Sequence, residues 1–412
     1  MKRLISILLA LALCGAVLLL PGCDWFKPKE KGTPTTYPYV FVHGLNGFGD
    51  DAFGENGSPV SYWGATGGPL LPALTESQGV MCYAPSVNPV GSAWDRACEL
   101  YAALTGTVTD YGAAHSAYYG HERYGRDYGA PLFPDWGTVD ENNNLRKVNL
   151  IAHSFGGATA RLLCALLYHG APEEVAAQQP PGQSCSELFT GGKGDWVFSL
   201  TCVAAPHNGT SLLTIVDVNP AIATAANWLS GAGIDEMLAN VGLTIGNMSL
   251  GQVLQAAKTM DTAYYDLTLE GAKEVNLLTR NLCPSVYLFS YPVDGTDNGK
   301  PAGEVMALLK PLVWLMGTFI SPENGVDEAW RPNDGLVNTI SATYPFDEPH
   351  TEVVYPNALT PDSLKPAVWY VMPKTRGDHG SVIGLGRDLE ETTAFYGEMI
   401  ARVDWLSRDV TG

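Results

Sequence analysis

Residues Ala152-His153-Ser154-Phe155-Gly156 constrain the fold of this chain more than any other stretch, because they join two segments of different periodicity. Before them runs the apolar Val148-Asn149-Leu150-Ile151; after them Ala158 to Leu167 has helical character. A strand that turns abruptly into a helix holds the residue at its tip in a strained backbone conformation, and only small residues fit two positions to either side. Ala152 and Gly156 meet that demand, although the pattern is usually written with glycine at both places. Set between a strand and a helix, Ser154 reads as a nucleophile, against the plainer alternative of a structural turn.

The rest of the chain alternates in the same way. Tyr39 to His43, Val80 to Ala84, Val148 to Ala152, Val197 to Ala204, Val286 to Tyr291 and Val368 to Met372 are short apolar runs that predict strands. Leu70 to Glu76, Trp94 to Leu104, Ala158 to Leu167 and Glu391 to Trp405 predict helices. That succession implies an α/β fold with a parallel sheet covered on both faces. With 412 residues, 46% of them hydrophobic, and no internal repeat, one large domain is expected over 37–412. Between Leu212 and Met260 strands are absent and Ala, Leu, Ile and Gly dominate, so 211–260 is expected to form a helical cap or lid. A net charge of −19 argues against nucleic acid as a partner, since phosphate binding needs clustered Lys and Arg.

A serine nucleophile needs a base, an acid to orient it and an oxyanion site. His379, in Gly377-Asp378-His379-Gly380-Ser381, follows the last expected strand and precedes the last helix, where this architecture presents its histidine. Asp334, in Asn333-Asp334-Gly335, lies between the two and gives the order Ser, Asp, His, although the same tripeptide is also an ordinary turn signal. The oxyanion donors are expected to be the backbone N–H groups of Phe155, next to the nucleophile, and Leu45, in the His43-Gly44-Leu45 loop after the first strand.

The N-terminus is read as an export signal over 1–23. Met1-Lys2-Arg3 is basic, Leu4 to Leu20 is apolar, and Leu20-Pro21-Gly22-Cys23 resembles a bacterial lipobox, which would make Cys23 the site of lipidation and a membrane anchor. An ordinary cleaved signal or an uncleaved anchor helix are the alternatives, and all three export the protein to the cell envelope or beyond. Residues 24–36, rich in Lys, Pro, Gly and Thr, read as a tether. Export permits disulfides, but Cys82, Cys98, Cys164, Cys185, Cys202 and Cys283 allow 15 complete pairings among them. Cys164 and Cys202 sit in apolar runs and read as buried thiols.

Over nearly its whole mature length the chain resembles the thermophilic bacillary lipases, true lipases with an Ala-His-Ser-x-Gly elbow. The resemblance rests on Tyr37 to Gly47, Trp94 to Glu99, Asp110 to His115, Gly120-His121 with Arg123 and Gly125-Arg126, Ala152 to Arg161, Ala205 to Thr210, Tyr265-Asp266-Leu267, Asn333 to Ser341 and Asp378-His379. It implies an α/β-hydrolase fold, hydrolysis of triacylglycerol esters, and a helical lid that opens at a lipid surface. It also implies a structural zinc ion held by two aspartates and two histidines, of which Asp95, His115 and His121 match three, within an extension spanning 94–128. The fourth ligand is open between Asp235, Asp261 and a water. Gly120 must break the helix for two histidines six residues apart to converge.

Two departures qualify the resemblance. The family's calcium site draws on positions that here carry Ser381, Gly386 and Arg387, and Asp388 alone does not restore the anionic oxygens that a hard cation needs, so no calcium is expected there. Phe155 replaces a glutamine of the thermophilic relatives; its backbone can still donate, but the changed side chain leaves the entrance shape and acyl-chain preference open. The expected activity is therefore lipase hydrolysis of acylglycerols, with a short-chain esterase or phospholipase as the alternative and a non-catalytic lipid-binding lipoprotein as the remote one.

Overall fold

The computed structural model describes residues 37–50, 61–141, 143–177, 179, 184–218, 255–322 and 325–411. The expected signal segment with Cys23, the tether, Asp235 and most of the expected lid lie outside the described residues.

In chain order the main elements are β1 (Tyr39–Val42), α1 (Leu70–Gln78), β2 (Cys82–Tyr83), α2 (Ala93–Thr105), β3 (Val108–Asp110), α3 (Ala113–Tyr119) and β4 (Tyr124–Asp127). They continue with β5 (Val148–His153), α4 (Gly156–His169), α5 (Pro172–Ala176), β6 (Val197–Val203), α6 (Ser211–Val218), α7 (Ala263–Asp266) and α8 (Leu269–Leu278). After these come β7 (Tyr287–Tyr291), α9 (Lys310–Thr318), β8 (His350–Glu352), β9 (Trp369–Val371) and α10 (Leu389–Thr411).

Seven strands make one sheet in the order β8-β9-β7-β6-β5-β1-β2, and every pairing is parallel. Because side chains alternate along a strand, the apolar runs feed two cores at once. Val40, Val42, Leu150, Ala152, Leu200 and Leu288 join the core that packs under α2 and α4. Tyr39, Phe41, Ile151, Phe198, Phe289 and Tyr291 join the opposite core, with Leu70, Leu71 and Leu74 of α1 and Tyr396, Met399, Ile400 and Val403 of α10. Each fully buried side chain of this size contributes roughly 1.5–3 kcal/mol against exposure, which is why a run apolar on both faces settles in the middle of a sheet.

The strands that the apolar pattern missed bury little apolar surface. β8, His350-Thr351-Glu352, is exposed along its whole length at the sheet edge, and β3 and β4 form a separate short antiparallel ribbon. The strand expected over Val80 to Ala84 shortens to two residues at the opposite edge. All six cysteines among the described residues are free thiols, and Cys98, Cys164, Cys202 and Cys283 are buried. No helix among the described residues is long and apolar enough to cross a membrane.

Candidate active site

Ser154 stands between the end of β5 and the start of α4 with φ of +56°, a left-handed conformation that costs a non-glycine residue about 1–3 kcal/mol. Its N–H donates to the Val203 carbonyl at the end of β6 at 3.0 Å, which fixes the turn from the neighbouring strand. The requirement for glycine two residues on comes from β1: a Cβ on Gly156 would lie 2.3 Å from the Val42 carbonyl oxygen. Gly44 is equally constrained, because a Cβ there would lie 2.8 Å from Ser154 Cβ and 3.2 Å from Ser154 Oγ. The His43-Gly44 pair thus keeps the space beside the nucleophile open.

His379 and Asp334 meet as a buried pair, Nδ1 to Oδ2 at 2.8 Å, with side chains 2% and 1% exposed. The backbone repeats the contact, since the His379 N–H donates to the Asp334 carbonyl at 3.0 Å. The Asn-Asp-Gly sequence is both turn and pair: Asp334 Oδ1 accepts the N–H groups of Leu336 and Val337 at 3.0 and 2.7 Å, leaving Oδ2 for the imidazole. Neighbouring Asp378 anchors the histidine loop by accepting from the N–H groups of Gly380, Ser381 and Met306. A short parallel pairing of Val293–Asp294 with Thr375–Arg376, and a Gly295 N–H donated to the Asn333 carbonyl at 2.8 Å, bring the two loops together. With Nδ1 held by the carboxylate, Nε2 is the atom left for proton exchange. The ring of His153, the residue before the nucleophile, lies 4.7 Å from that of His379, centre to centre.

Arg96 of α2, fully buried, holds the His43-Gly44-Leu45 loop. Its guanidinium donates to the carbonyls of His43, Gly44 (3.3 Å) and Asn88 (2.9 Å) and, through Nε, to Thr159 Oγ1 at 2.9 Å. In a trans peptide the N–H opposes the carbonyl, so the Leu45 N–H points away from Arg96. Burial lowers the Arg96 pKa to about 10, which leaves it charged. Phe155, at the N-cap of α4, is wholly buried, with the Arg96 guanidinium 5.3 Å from its ring centre. Its side chain thus belongs to the core beneath α2 and α4.

A second cluster gathers Asp95, His115, His121 and Asp261, whose ligand atoms all lie within 4.8 Å of one another. Asp95 lies in the first turn of α2, where Ser92 Oγ accepts its N–H at 3.2 Å. His115 is on α3, whose first turn is held by Glu174 of α5 accepting the Ala114 and His115 N–H groups at 2.8 and 2.7 Å. Gly120, at φ of +80°, ends α3 and turns His121 back, as the spacing requires. Asp261, at φ of +65°, is the fourth group of this cluster among the described residues, while Asp235 lies outside them. His115 Nε2 lies 3.3 Å from Asp95 Oδ1 and 3.2 Å from Asp261 Oδ1, and His121 Nε2 lies 3.2 Å from Asp261 Oδ2.

These contacts are not hydrogen bonds: Asp95 Oδ1, His115 Nε2 and His121 Nε2 are buried without a hydrogen-bond partner. The other nitrogen of His121 faces the Glu122 carbonyl at 2.9 Å, so Nδ1 carries the proton and Nε2 offers its lone pair to the centre. Burial opposes the charge on His115, but Asp261 and Asp95 outweigh it and raise its pKa to about 9. Burial also opposes the charge on Asp261, yet His115 and Ser92 hold its pKa below the usual range, whereas burial and the like charge of Asp261 hold Asp95 above it. Two carboxylates and two imidazoles converging in this way can hold a metal ion in place of the proton that His115 carries without one. Beside the histidine loop, Arg387 donates to the Arg376 carbonyl at 3.0 Å and Ser381 Oγ to the Asp378 carbonyl at 2.7 Å.

The sequence alone did not identify Arg96 as part of this site, although it fell within a segment that carries the resemblance.

The family model described as "Lipase-like, C-terminal domain" matches residues 35–407. A lipase of Staphylococcus epidermidis is 34% identical over 382 residues, 88% of this chain and 52% of that protein, so the chain spans about half the length of the curated relatives it matches. Among solved structures, Staphylococcus hyicus lipase superimposes with a TM-score of 0.71 at 32% identity, covering 94% of this chain and 100% of that one. Lipase 1 from Pelosinus fermentans superimposes with a TM-score of 0.69 at 33% identity, covering 90% of this chain and 98% of that one.

Proposed function

Because the chain belongs to the staphylococcal-type true lipase family, of α/β-hydrolase fold, we propose that it hydrolyses the carboxylic ester bonds of acylglycerols through an acyl-enzyme on Ser154. The observation that carries the reading is the buried 2.8 Å pair of His379 and Asp334 beside a serine held at φ of +56° on a strand-to-helix elbow. His379 Nε2 takes the proton of Ser154 as Oγ bonds to the ester carbonyl carbon, and Asp334 stabilises the imidazolium. The oxyanion is held by the N–H groups of Leu45 and Phe155. The C–O bond to the alcohol then breaks, His379 protonates the leaving oxygen, and water repeats the sequence on the acyl-enzyme.

Zinc is the ion proposed for Asp95, His115, His121 and Asp261. The unpartnered buried atoms of the cluster and its four N and O donors fit a closed tetrahedral structural site, which when filled supplies a cross-link between α2, α3 and the turn at Asp261. Residues 211–260 are proposed as a lid that opens at a lipid interface, with 94–128 as the metal-binding segment. Cys23 is proposed as the lipidated anchor to the cell envelope.

The test is hydrolysis of esters resolved by acyl-chain length, above and below the concentration at which substrate forms an interface, in the native chain and in Ser154→Ala. Long-chain preference with an interfacial gain, lost in Ser154→Ala, supports the lipase reading. A sharp short-chain optimum without that gain replaces it with an esterase, and hydrolysis surviving in Ser154→Ala overturns the nucleophile.

A further inference from the structure

Three consecutive hydrogen bonds join the oxyanion loop to the catalytic histidine loop without passing through the triad. The Gly44 N–H donates to Tyr62 Oη at 3.1 Å, Tyr62 Oη lies 2.6 Å from His153 Nδ1, and His153 Nε2 lies 3.1 Å from the His379 carbonyl oxygen. One pattern of protons fits the whole chain. A carbonyl only accepts, so His153 Nε2 must donate; Nδ1 then bears a lone pair, so Tyr62 must donate to it, leaving the phenolic oxygen to accept from Gly44. Every group in the series is buried, Tyr62 at 3% and His153 at 0% exposure. Burial, reinforced by the nearby His379, holds the His153 pKa well below that of a free imidazole, which keeps the ring in the neutral form the series needs.

The two ends of this chain matter for the reaction. Gly44 precedes the oxyanion donor Leu45 and lies against Ser154, and the His379 carbonyl belongs to the residue that must present Nε2 to Ser154 Oγ. Between them His153 is covalently joined to Ser154, so one series of bonds references oxyanion donor, nucleophile and base to each other. The aromatic setting holds it in place: Tyr62 meets Trp63, Phe48 and His43 edge to face, at centre separations of 5.2, 6.0 and 5.9 Å. Removing the phenolic hydroxyl alone leaves that packing intact while breaking the series at its centre.

We propose that Tyr62 and His153 are positioning residues that set the register between the oxyanion loop and the His379 loop. This rests on the assignment of Ser154, His379 and Asp334 as the triad. Misplacing reacting groups by a fraction of an ångström slows the chemical step while leaving ground-state binding alone.

The experiment measures kcat, KM and the rate at which a phosphonate ester labels Ser154, in the full chain carrying Tyr62→Phe, His153→Gln, His153→Phe and Tyr62→Phe with His153→Phe. Tyr62→Phe is expected to lower kcat and the labelling rate about 10- to 100-fold with KM within about twofold. His153→Gln, which keeps a donor for the His379 carbonyl, is expected to retain more activity than His153→Phe, and the double variant to be no slower than His153→Phe, because both changes break one series. Tyr62→Phe with unchanged kcat and a lowered Tm, or multiplicative effects in the double variant, would overturn the proposal. Ser154→Ala separates the two levels: activity surviving there sinks the triad, whereas an inactive Ser154→Ala beside a fully active Tyr62→Phe sinks only the positioning role. If His153→Phe does not fold, Tyr62→Phe and His153→Gln decide the matter alone.

Discussion

The molecule holds two clusters built from histidine and aspartate, and they are finished to different degrees. At His379 and Asp334 both carboxylate oxygens are engaged: the imidazole Nδ1 meets one at 2.8 Å and two backbone N–H groups hold the other. At Asp95, His115, His121 and Asp261 the same residue types approach at 3.2–3.3 Å with three buried atoms left without a hydrogen bond. The first is complete with protons alone and needs only a substrate. The second leaves buried nitrogen and oxygen atoms that a cation could satisfy. A histidine–carboxylate contact is therefore diagnostic through its satisfaction and not through its composition.

That contrast breaks if substitutions at the two clusters have like effects. Asp334→Asn is expected to lower kcat about a thousandfold or more while the fold and bound metal persist, measured by single-turnover hydrolysis beside metal analysis. Asp261→Asn is expected to do the opposite, losing the metal and up to about 4 kcal/mol of stability at metal a thousandfold above its Kd, with kcat at low temperature largely kept. Calorimetry with and without a chelator reads that loss; an unchanged Tm would leave the second cluster without a metal role.

The acid–base behaviour sharpens the comparison further. In metal-free protein the folded pKa of His115, raised to about 9, lies above its unfolded value near 6.5, so its stabilising contribution is full below about 6.5 and is lost as pH rises through about 9. With zinc present the ligands must be deprotonated, so metal stabilisation grows as pH rises. Thermal melts across that range, with chelator and with zinc, are expected to slope in opposite directions. The smallest effect is expected from Phe155→Leu: about 1–2 kcal/mol of stability from the lost packing against Arg96, with the acyl-chain profile unchanged. A shifted chain-length optimum would return that side chain to the entrance.

The legible parts of the site were those where chemistry imposes a local pattern. Ser154 needs an apolar strand before it and small residues about it, and the glycine at 156 is forced by the Val42 carbonyl, so the elbow shows in five consecutive residues. His379 and Asp334 followed from chain order and from turn residues that also make loops. Asp261 was one of three options because it comes from a left-handed turn far along the chain from Asp95, His115 and His121, with no spacing to relate it to them. Tyr62 left no trace, since a loop tyrosine is defined only by the hydroxyl's neighbours in space. The exposed edge strand β8 was illegible for the converse reason: with no face to bury, His350-Thr351-Glu352 has no hydrophobic alternation.

Arg96 follows Asp95 directly on α2, so one turn of helix offers a member of the candidate metal cluster and the guanidinium that donates to the His43 and Gly44 carbonyls. The stretch over 94–128 is consequently a poor cassette for protein engineering. Excising it, or transplanting another chain's version, takes away the oxyanion loop's anchor along with the metal ligands. A recombinant designer seeking a metal-independent variant does better to rebuild the cluster in place, trading ligands for an apolar plug, than to cut at the segment's ends.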